Sequence, residues 1–249
     1  MLTDSHCHLV KEYYDNIDEI IARAQKCNVN TFFNIGTNKK ENEEILSLIE
    51  KHPEMYGAIG IHPSQTNKAD LEDLKFIEDN LTNKKIIAIG EIGLDYHYPN
   101  TNKEKQITWF KNQLKIAEKY NIPVIIHSRD AIEDTINILK DYKVKGIIHS
   151  FAEDLETAQK YINLGFLLGI NGVLTFQNSK LAEVIKEIPL EYIVLETDCP
   201  YLTPHPFRGE KNEPKYIAEI AKFLSQIKNT DITEVAEKTS QNLVNFFDI

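Results

Sequence analysis

Short apolar runs separated by longer amphipathic ones recur along this whole sequence, and that alternation restricts the available folds more than any other feature. The apolar runs occupy residues 30–35, 55–61, 86–89, 123–126, 146–148, 166–170 and 192–195, with a weaker one at 1–8. Between them, 15–27, 37–51, 70–81, 103–120 and 129–142 read as helices. In 103–120, Ile107, Phe110, Leu114 and Ala117 recur at three- and four-residue steps and form one apolar stripe. The strand candidates are apolar at consecutive positions, as expected of parallel strands covered by helices on both faces. Eight βα units in 249 residues predict an α/β chain with a single (β/α)8 TIM-type barrel domain over 1–249. An open doubly wound sheet is the rival, since periodicity does not reveal ring closure. Against it, no glycine-rich phosphate turn follows the first strand.

Charge narrows the possible partners. The chain has 28 basic and 38 acidic residues, a formal charge of −10. Such a surface repels phosphates at long range and excludes a protein that coats nucleic acid. It still allows an enzyme acting at one end of a strand, where bound cations reverse the local field. The three cysteines, Cys7, Cys27 and Cys199, lack CxxC spacing, which fits a reducing compartment. Residues 1–10 lack the apolar core of a signal peptide, and no apolar stretch approaches the ~18 residues of a membrane span. The expectation is a cytoplasmic protein with no membrane association and no obligate protein partner.

Potential ligands gather where the apolar runs end. His6 and His8 are two apart in the opening strand, so both imidazoles face one side and can share a cation. Glu91 follows 86–89, His127 follows 123–126, His149 follows 146–148 and Asp198 follows 192–195. In a barrel all these ends open on the face where active sites form. One such residue is ordinarily a cap or a hydrogen-bonded group, but six at five strand ends point to a metal centre. His62, after the run 55–61, and Arg208, in the proline-rich segment 200–214, are the substrate-binding candidates. A planar guanidinium suits a phosphate. His52, His97 and His205 are expected at the surface, and Cys7 and Cys199 as packing groups.

These residues lie in motifs that resemble the TatD family of metal-dependent deoxyribonucleases and related hydrolases. The motifs are DSHCHL at 4–9, GIHP at 60–63, GEIGLDY at 90–96, HSRDA at 127–131, HSF at 149–151 and ETDCPYLTPHPFRGEKNEP at 196–214. The resemblance implies a metallohydrolase barrel in which His6, His8 and Asp198 hold one cation, His127 and His149 a second, and Glu91 bridges them. It also implies cleavage of DNA phosphodiester bonds from an end by a metal-activated water, with Asp198 and Glu91 catalytic. The donor types suit Zn, Mn, Mg, Co or Ni. Val10 departs from the acidic residue common after HxHL in the family, outside the ligand set. The same residues would serve ester or C–N hydrolysis, such as removal of an aminoacyl group from tRNA, because fold does not settle substrate. A non-catalytic scaffold is the weakest reading, since no ligand position is missing.

Overall fold

The computed structural model describes residues 1–249. In chain order the first elements are β1 (Leu2–Cys7), α1 (Ile17–Gln25), β2 (Val29–Ile35), α2 (Lys39–Lys51), β3 (Met55–Ile59) and α3 (Leu71–Asn80). There follow β4 (Ile86–Asp95), α4 (Lys103–Tyr120), β5 (Val124–Arg129), α5 (Ile132–Leu139), β6 (Gly146–Ile148) and α6 (Leu155–Asn163). The chain ends with β7 (Phe166–Ile170), α7 (Leu181–Glu187), β8 (Ile193–Leu195), α8 (Ile217–Lys228) and α9 (Ile232–Phe247). The strands follow one another in sheet order from β1 to β8, the (β/α)8 arrangement expected from the apolar runs. No helix is long and apolar enough to cross a membrane.

Five of the helices start where their sequences provide a side-chain acceptor for the first unpaired N–H groups. Asn16, Asn38, Asn102 and Asp231 cap α1, α2, α4 and α9. Asp70 and Asp73 form a reciprocal capping box on α3.

The chain divides into two compact units, Met1–Asn34, Ser150–Ile162 and Leu167–Ile249 in the first, Ile35–His149 and Asn163–Phe166 in the second. In the first, β1 pairs in parallel with β2, and β7 with β8. Ser5 Oγ donates to the Leu195 carbonyl, and the backbones of Cys7 and Cys199 pair in parallel, so β1 also lies against β8. Phe32, Phe33, Leu168, Val194, Ile220 and Leu224 are buried there. In the second, β3, β4, β5 and β6 pair in parallel, over a core that includes Ile45, Ile59, Ile89, Leu114 and Ile125.

Three expectations change. β4 does not stop at Ile89 but continues to Asp95, buried throughout, and pairs Ile92, Gly93, Leu94 and Asp95 with Ile126, His127, Ser128 and Arg129. Two glycines interrupt the apolar run without interrupting the strand. At Gly93 (φ 143°) a Cβ would lie 2.0 Å from the His127 carbonyl oxygen, so the close approach of β5 requires glycine. Glu91 and His127 therefore sit inside strands rather than after them. His52, expected at the surface, is buried at the end of α2, its Nδ1 3.6 Å from Glu54. In α4 the buried face includes Gln106 and Gln113, while Ile107 is only half-buried.

Each unit also ties a helix end to a neighbouring segment through a lysine. Lys85 Nζ donates to the carbonyls of Ile49, His52, Pro53 and Met55 at 3.3, 2.9, 2.8 and 2.8 Å, covering the end of α2 and the start of β3. Partial burial holds its pKa below the usual lysine range. Lys228 donates to the carbonyls of Ile185, Lys186 and Ile188 in the same way. Lys85→Met, which keeps the stem and removes the donors, is expected to cost about 1–2 kcal/mol. The measurement is the urea midpoint, and an unchanged midpoint would show that water replaces these bonds without loss.

Candidate metal centre

In the first unit the site is built on β1 and the segment after β8. Asp4, His6 and His8 fall at alternate positions and so point to one side. His6 Nε2 and His8 Nε2 stand 3.2 Å apart, and Asp198 Oδ1 is 3.9 Å from the first and 3.5 Å from the second. Asp198 adopts a left-handed backbone (φ 55°), which costs a non-glycine residue on the order of 1 kcal/mol. Its N–H donates to the His6 carbonyl and its carbonyl accepts from the Tyr201 N–H, both at 2.9 Å, so the conformation is imposed from two sides. Asp4, fully buried, accepts from the Thr197 N–H (2.9 Å), the Thr197 hydroxyl (2.6 Å) and the His6 N–H (3.3 Å). Burial pushes its carboxyl well above the usual carboxylate range despite those bonds. One side chain thus holds the backbone beside His6 and beside Asp198.

In the second unit the centre is Glu91, 3% exposed within β4. Its Oε1 lies 2.7 Å from His127 Nδ1, 3.6 Å from His62 Nε2 and 3.9 Å from His149 Nε2. The other His127 nitrogen, Nε2, is 3.3 Å from Asp95 Oδ2. Burial works against a charged His127, but hydrogen bonds to Asp95 and Glu91 outweigh it and push the imidazole up to about 9. For Asp95, burial is likewise outweighed, chiefly by His127 and the His97 N–H, and its carboxyl is held below the usual range. Glu91 and Asp95 thus bring enough negative charge to keep a positive one between them. His62 differs from the others. Its Nδ1 accepts the Ser64 N–H at 3.1 Å, so the neutral ring carries its proton on Nε2. That nitrogen is then a donor rather than a ready metal ligand.

The donor chemistry fits divalent cations. Two donors each about 2.1 Å from one ion, at tetrahedral or octahedral angles, stand about 3.0–3.4 Å apart. The 3.2 Å and 3.5 Å separations around His8 match this closely. The donor atoms of His6, His8 and Asp198 all lie within 4.8 Å of one another, as do those of His62, Glu91 and His127. Imidazole with carboxylate is the donor set of Zn, Mn, Co and Ni sites.

Several supporting residues escape a reading based on charge and strand ends. Asp95 is one, although its spacing of four from Glu91 along a strand was the available signal. Glu196 is another: completely buried, it accepts the Ser150 N–H at 2.7 Å and the Asn171 amide at 3.2 Å. A third set consists of buried amides that clamp the backbone next to site residues. Asn34 bonds both ways to Leu9, Asn42 to Gly60, Gln113 to Ile61 and Gln106 to Asp95. Asn212 donates to the Thr197 and Tyr201 carbonyls. Each satisfies polar backbone where strand pairing ends, which would otherwise cost roughly 1–3 kcal/mol per group.

Of the candidates from sequence, His6, His8 and Asp198 come together, and Glu91, His127, His149 and His62 come together. Arg208 belongs to neither group. Its guanidinium lies 4.1 Å above the Phe176 ring centroid, and Nη1 donates to the Thr203 carbonyl at 2.9 Å. Cys7 and Cys199 are buried, and Cys7 Sγ donates to the Phe33 carbonyl, consistent with packing groups. Val10 is wholly buried. His97 and His205 are exposed.

With this geometry in place, comparison with known proteins gives one consistent answer. The family model described as TatD related DNase matches residues 3–248. An uncharacterized metal-dependent hydrolase of Bacillus subtilis, YabD, is 40% identical over 254 residues and 100% of both chains. YcfH of Escherichia coli, also described as an uncharacterized metal-dependent hydrolase, is 34% identical over 100% of this chain and 96% of its own. The crystal structure of YjjV, a TatD homologue from Escherichia coli, superposes with a TM-score of 0.94 at 28% identity, covering 100% of this chain and 98% of the other. The chain belongs to the TatD family and is a metal-dependent hydrolase.

Proposed function

We propose that the chain is a deoxyribonuclease that hydrolyses DNA phosphodiester bonds from an end, using two divalent cations. The observation that carries this reading is the compact His6, His8 and Asp198 donor set, with Glu91 close to His127 and His149 in the other unit, in a chain matched over residues 3–248 by a TatD related DNase model. We assign one cation to His6, His8 and Asp198, a second to His127 and His149, and a shared role to Glu91. Bound there, divalent cations supply positive charge to the phosphate oxygens and lower the pKa of water.

The residues of the chain supply the rest. Asp198, held rigidly by its two backbone bonds, takes a proton from the attacking water at a carboxylate oxygen. The water oxygen bonds to phosphorus as the bond to the leaving oxygen breaks, in line with it; the leaving oxygen takes a proton from solvent and Asp198 returns its own to solvent. His62, with its proton on Nε2, donates to a phosphate oxygen, and its bonds to Ser64 keep the ring in that tautomer. Arg208 meets a further phosphate of the strand with the guanidinium edge left over by Thr203. Its seat on Phe176 limits the rotamers lost on binding.

The direct test assays metal-reconstituted protein against end-labelled single-stranded DNA, with a misacylated tRNA in parallel. Chelation should abolish DNA cleavage, and Mn²⁺, Mg²⁺, Co²⁺ or Zn²⁺ should restore it to differing degrees. Activity on the tRNA alone would replace the nuclease reading with ester hydrolysis, and full activity of metal-free protein would end both.

The ligand assignment has its own test. Glu91→Gln keeps size and removes charge, so elemental analysis should find at least one metal lost. Asp198→Asn should retain more metal and lose about 10²–10⁴-fold in kcat. Two metals and near-normal turnover in the Glu91 variant would make Glu91 a structural carboxylate only.

For Arg208, replacement by Lys exchanges a planar fork for a point charge. KM for single strands should rise several-fold with kcat nearly constant. Unchanged kinetics would return Arg208 to a solvated loop.

A further inference from the structure

Beside the His6–His8–Asp198 group the first unit carries two tyrosines that its assigned chemistry does not use. The Tyr13 and Tyr201 ring centroids are 5.9 Å apart at 72°, and their hydroxyls are 3.2 Å apart. Both rings stand edge-on to His8, at 6.4 and 6.5 Å. Tyr201 is 50% exposed, so part of its ring is open to a group from outside. The rings meet edge to face rather than stacking, so a flat group can lie against the ring face left to solvent.

The pair is held in place from below. The Tyr201 N–H donates to the Asp198 carbonyl, and its own carbonyl accepts from Asn212. The Tyr13 N–H donates to the Val10 carbonyl at 3.0 Å, and its carbonyl accepts from Lys211 Nζ. Lys211 also lies 4.5 Å from the Tyr14 ring centroid, which fixes a positive charge at the foot of the pair. The tyrosines thus share a rigid backbone with a proposed metal ligand and have a cation next to them.

We propose that Tyr13 and Tyr201 form a stacking platform for the unpaired terminal base of a single-stranded nucleic acid, an inference that rests on the nuclease reading. A chain of charge −10 gains little from long-range attraction to phosphates, so short-range contacts have to hold the strand. Stacking on aromatic rings is such a contact, and it tolerates any base because every base has a π-face. A base seated on the pair puts its own nucleotide beside His8, and Lys211 is near enough to meet the adjoining phosphate. A platform for one unpaired base also favours frayed or single-stranded ends over continuous duplex.

The test uses metal-loaded protein and short single strands with 2-aminopurine at one terminus, with phosphorothioate linkages to slow cleavage. Stacking should quench the fluorophore on binding. Tyr201→Leu should abolish the quench and weaken binding by roughly tenfold, within the range expected for one base stacked on an aromatic ring. Tyr201→Phe should keep both. In steady-state cleavage Tyr201→Leu should raise KM and leave kcat, and should make no difference on a strand that ends in an abasic sugar. Cleavage by the wild type with no effect of Tyr201→Leu, or an equal effect on base-ended and abasic strands, overturns the platform and leaves the nuclease reading intact. Quenching without cleavage keeps the platform and ends that reading. Neither binding nor cleavage ends both.

Discussion

A carboxylate in a buried strand has lost the water that would solvate its charge, and Glu91 is in that position. Desolvating an unpaired carboxylate is far costlier than any one hydrogen bond can offset, so such a group either takes up a proton, as burial favours at Asp4, or has positive charge brought to it. The structure brings three imidazoles, His62, His127 and His149, within 3.9 Å of one oxygen. Asp95 adds a second negative group on the far side of His127. Protonated His127 meets this demand within the protein alone, and a divalent cation meets it with more charge in a smaller volume. The demand for positive charge is thus a consequence of burying Glu91 in the middle of β4, not an addition to a finished fold.

Holding such a group together requires a backbone that does not relax around it. The buried amides of Asn34, Asn42, Gln106 and Gln113 each bond in both directions to one residue of a distant segment, replacing the strand partner that is missing there. Asp4 performs the related task in the first unit, where it binds Thr197 and the His6 N–H together. These bonds carry no chemistry of their own. They hold the site residues in place ahead of any binding, and such preorganisation raises affinity.

Much of this is legible in the sequence, and the boundary is physical. Consecutive apolar residues flanked by helical periodicity identify the strands, because burial on two faces leaves no polar position. HxH at 6 and 8 identifies a donor pair, because strand alternation is a local property. The extension of β4 is not legible, because Gly90 and Gly93 read as breaks until the closeness of β5 at His127 explains the second of them. The burial of His52 is missed because a helix-terminal histidine carries no local sign of what covers it. Gln106 and Gln113 lie outside the apolar stripe of 103–120 and are nevertheless buried in α4.

The sequence by itself determined the alternation of eight strands with helices and placed His6, His8, Glu91, His127, His149 and Asp198 as candidate donors, since both follow from spacing along the chain. Only the tertiary structure decided which imidazole faces which carboxylate, that Asp95 joins Glu91 around His127, and that Tyr13 and Tyr201 meet beside His8. Most of these contacts join residues far apart in the chain, 32 positions for His127 and Asp95, 188 for Tyr13 and Tyr201 and 192 for His6 and Asp198, and are set by strand register and loop path. Neither register nor loop path is encoded in any single stretch of residues. The proton on His62 Nε2 is of the same kind. It follows from Ser64 two residues later, but only because the turn after Ile61 aims that N–H at the ring.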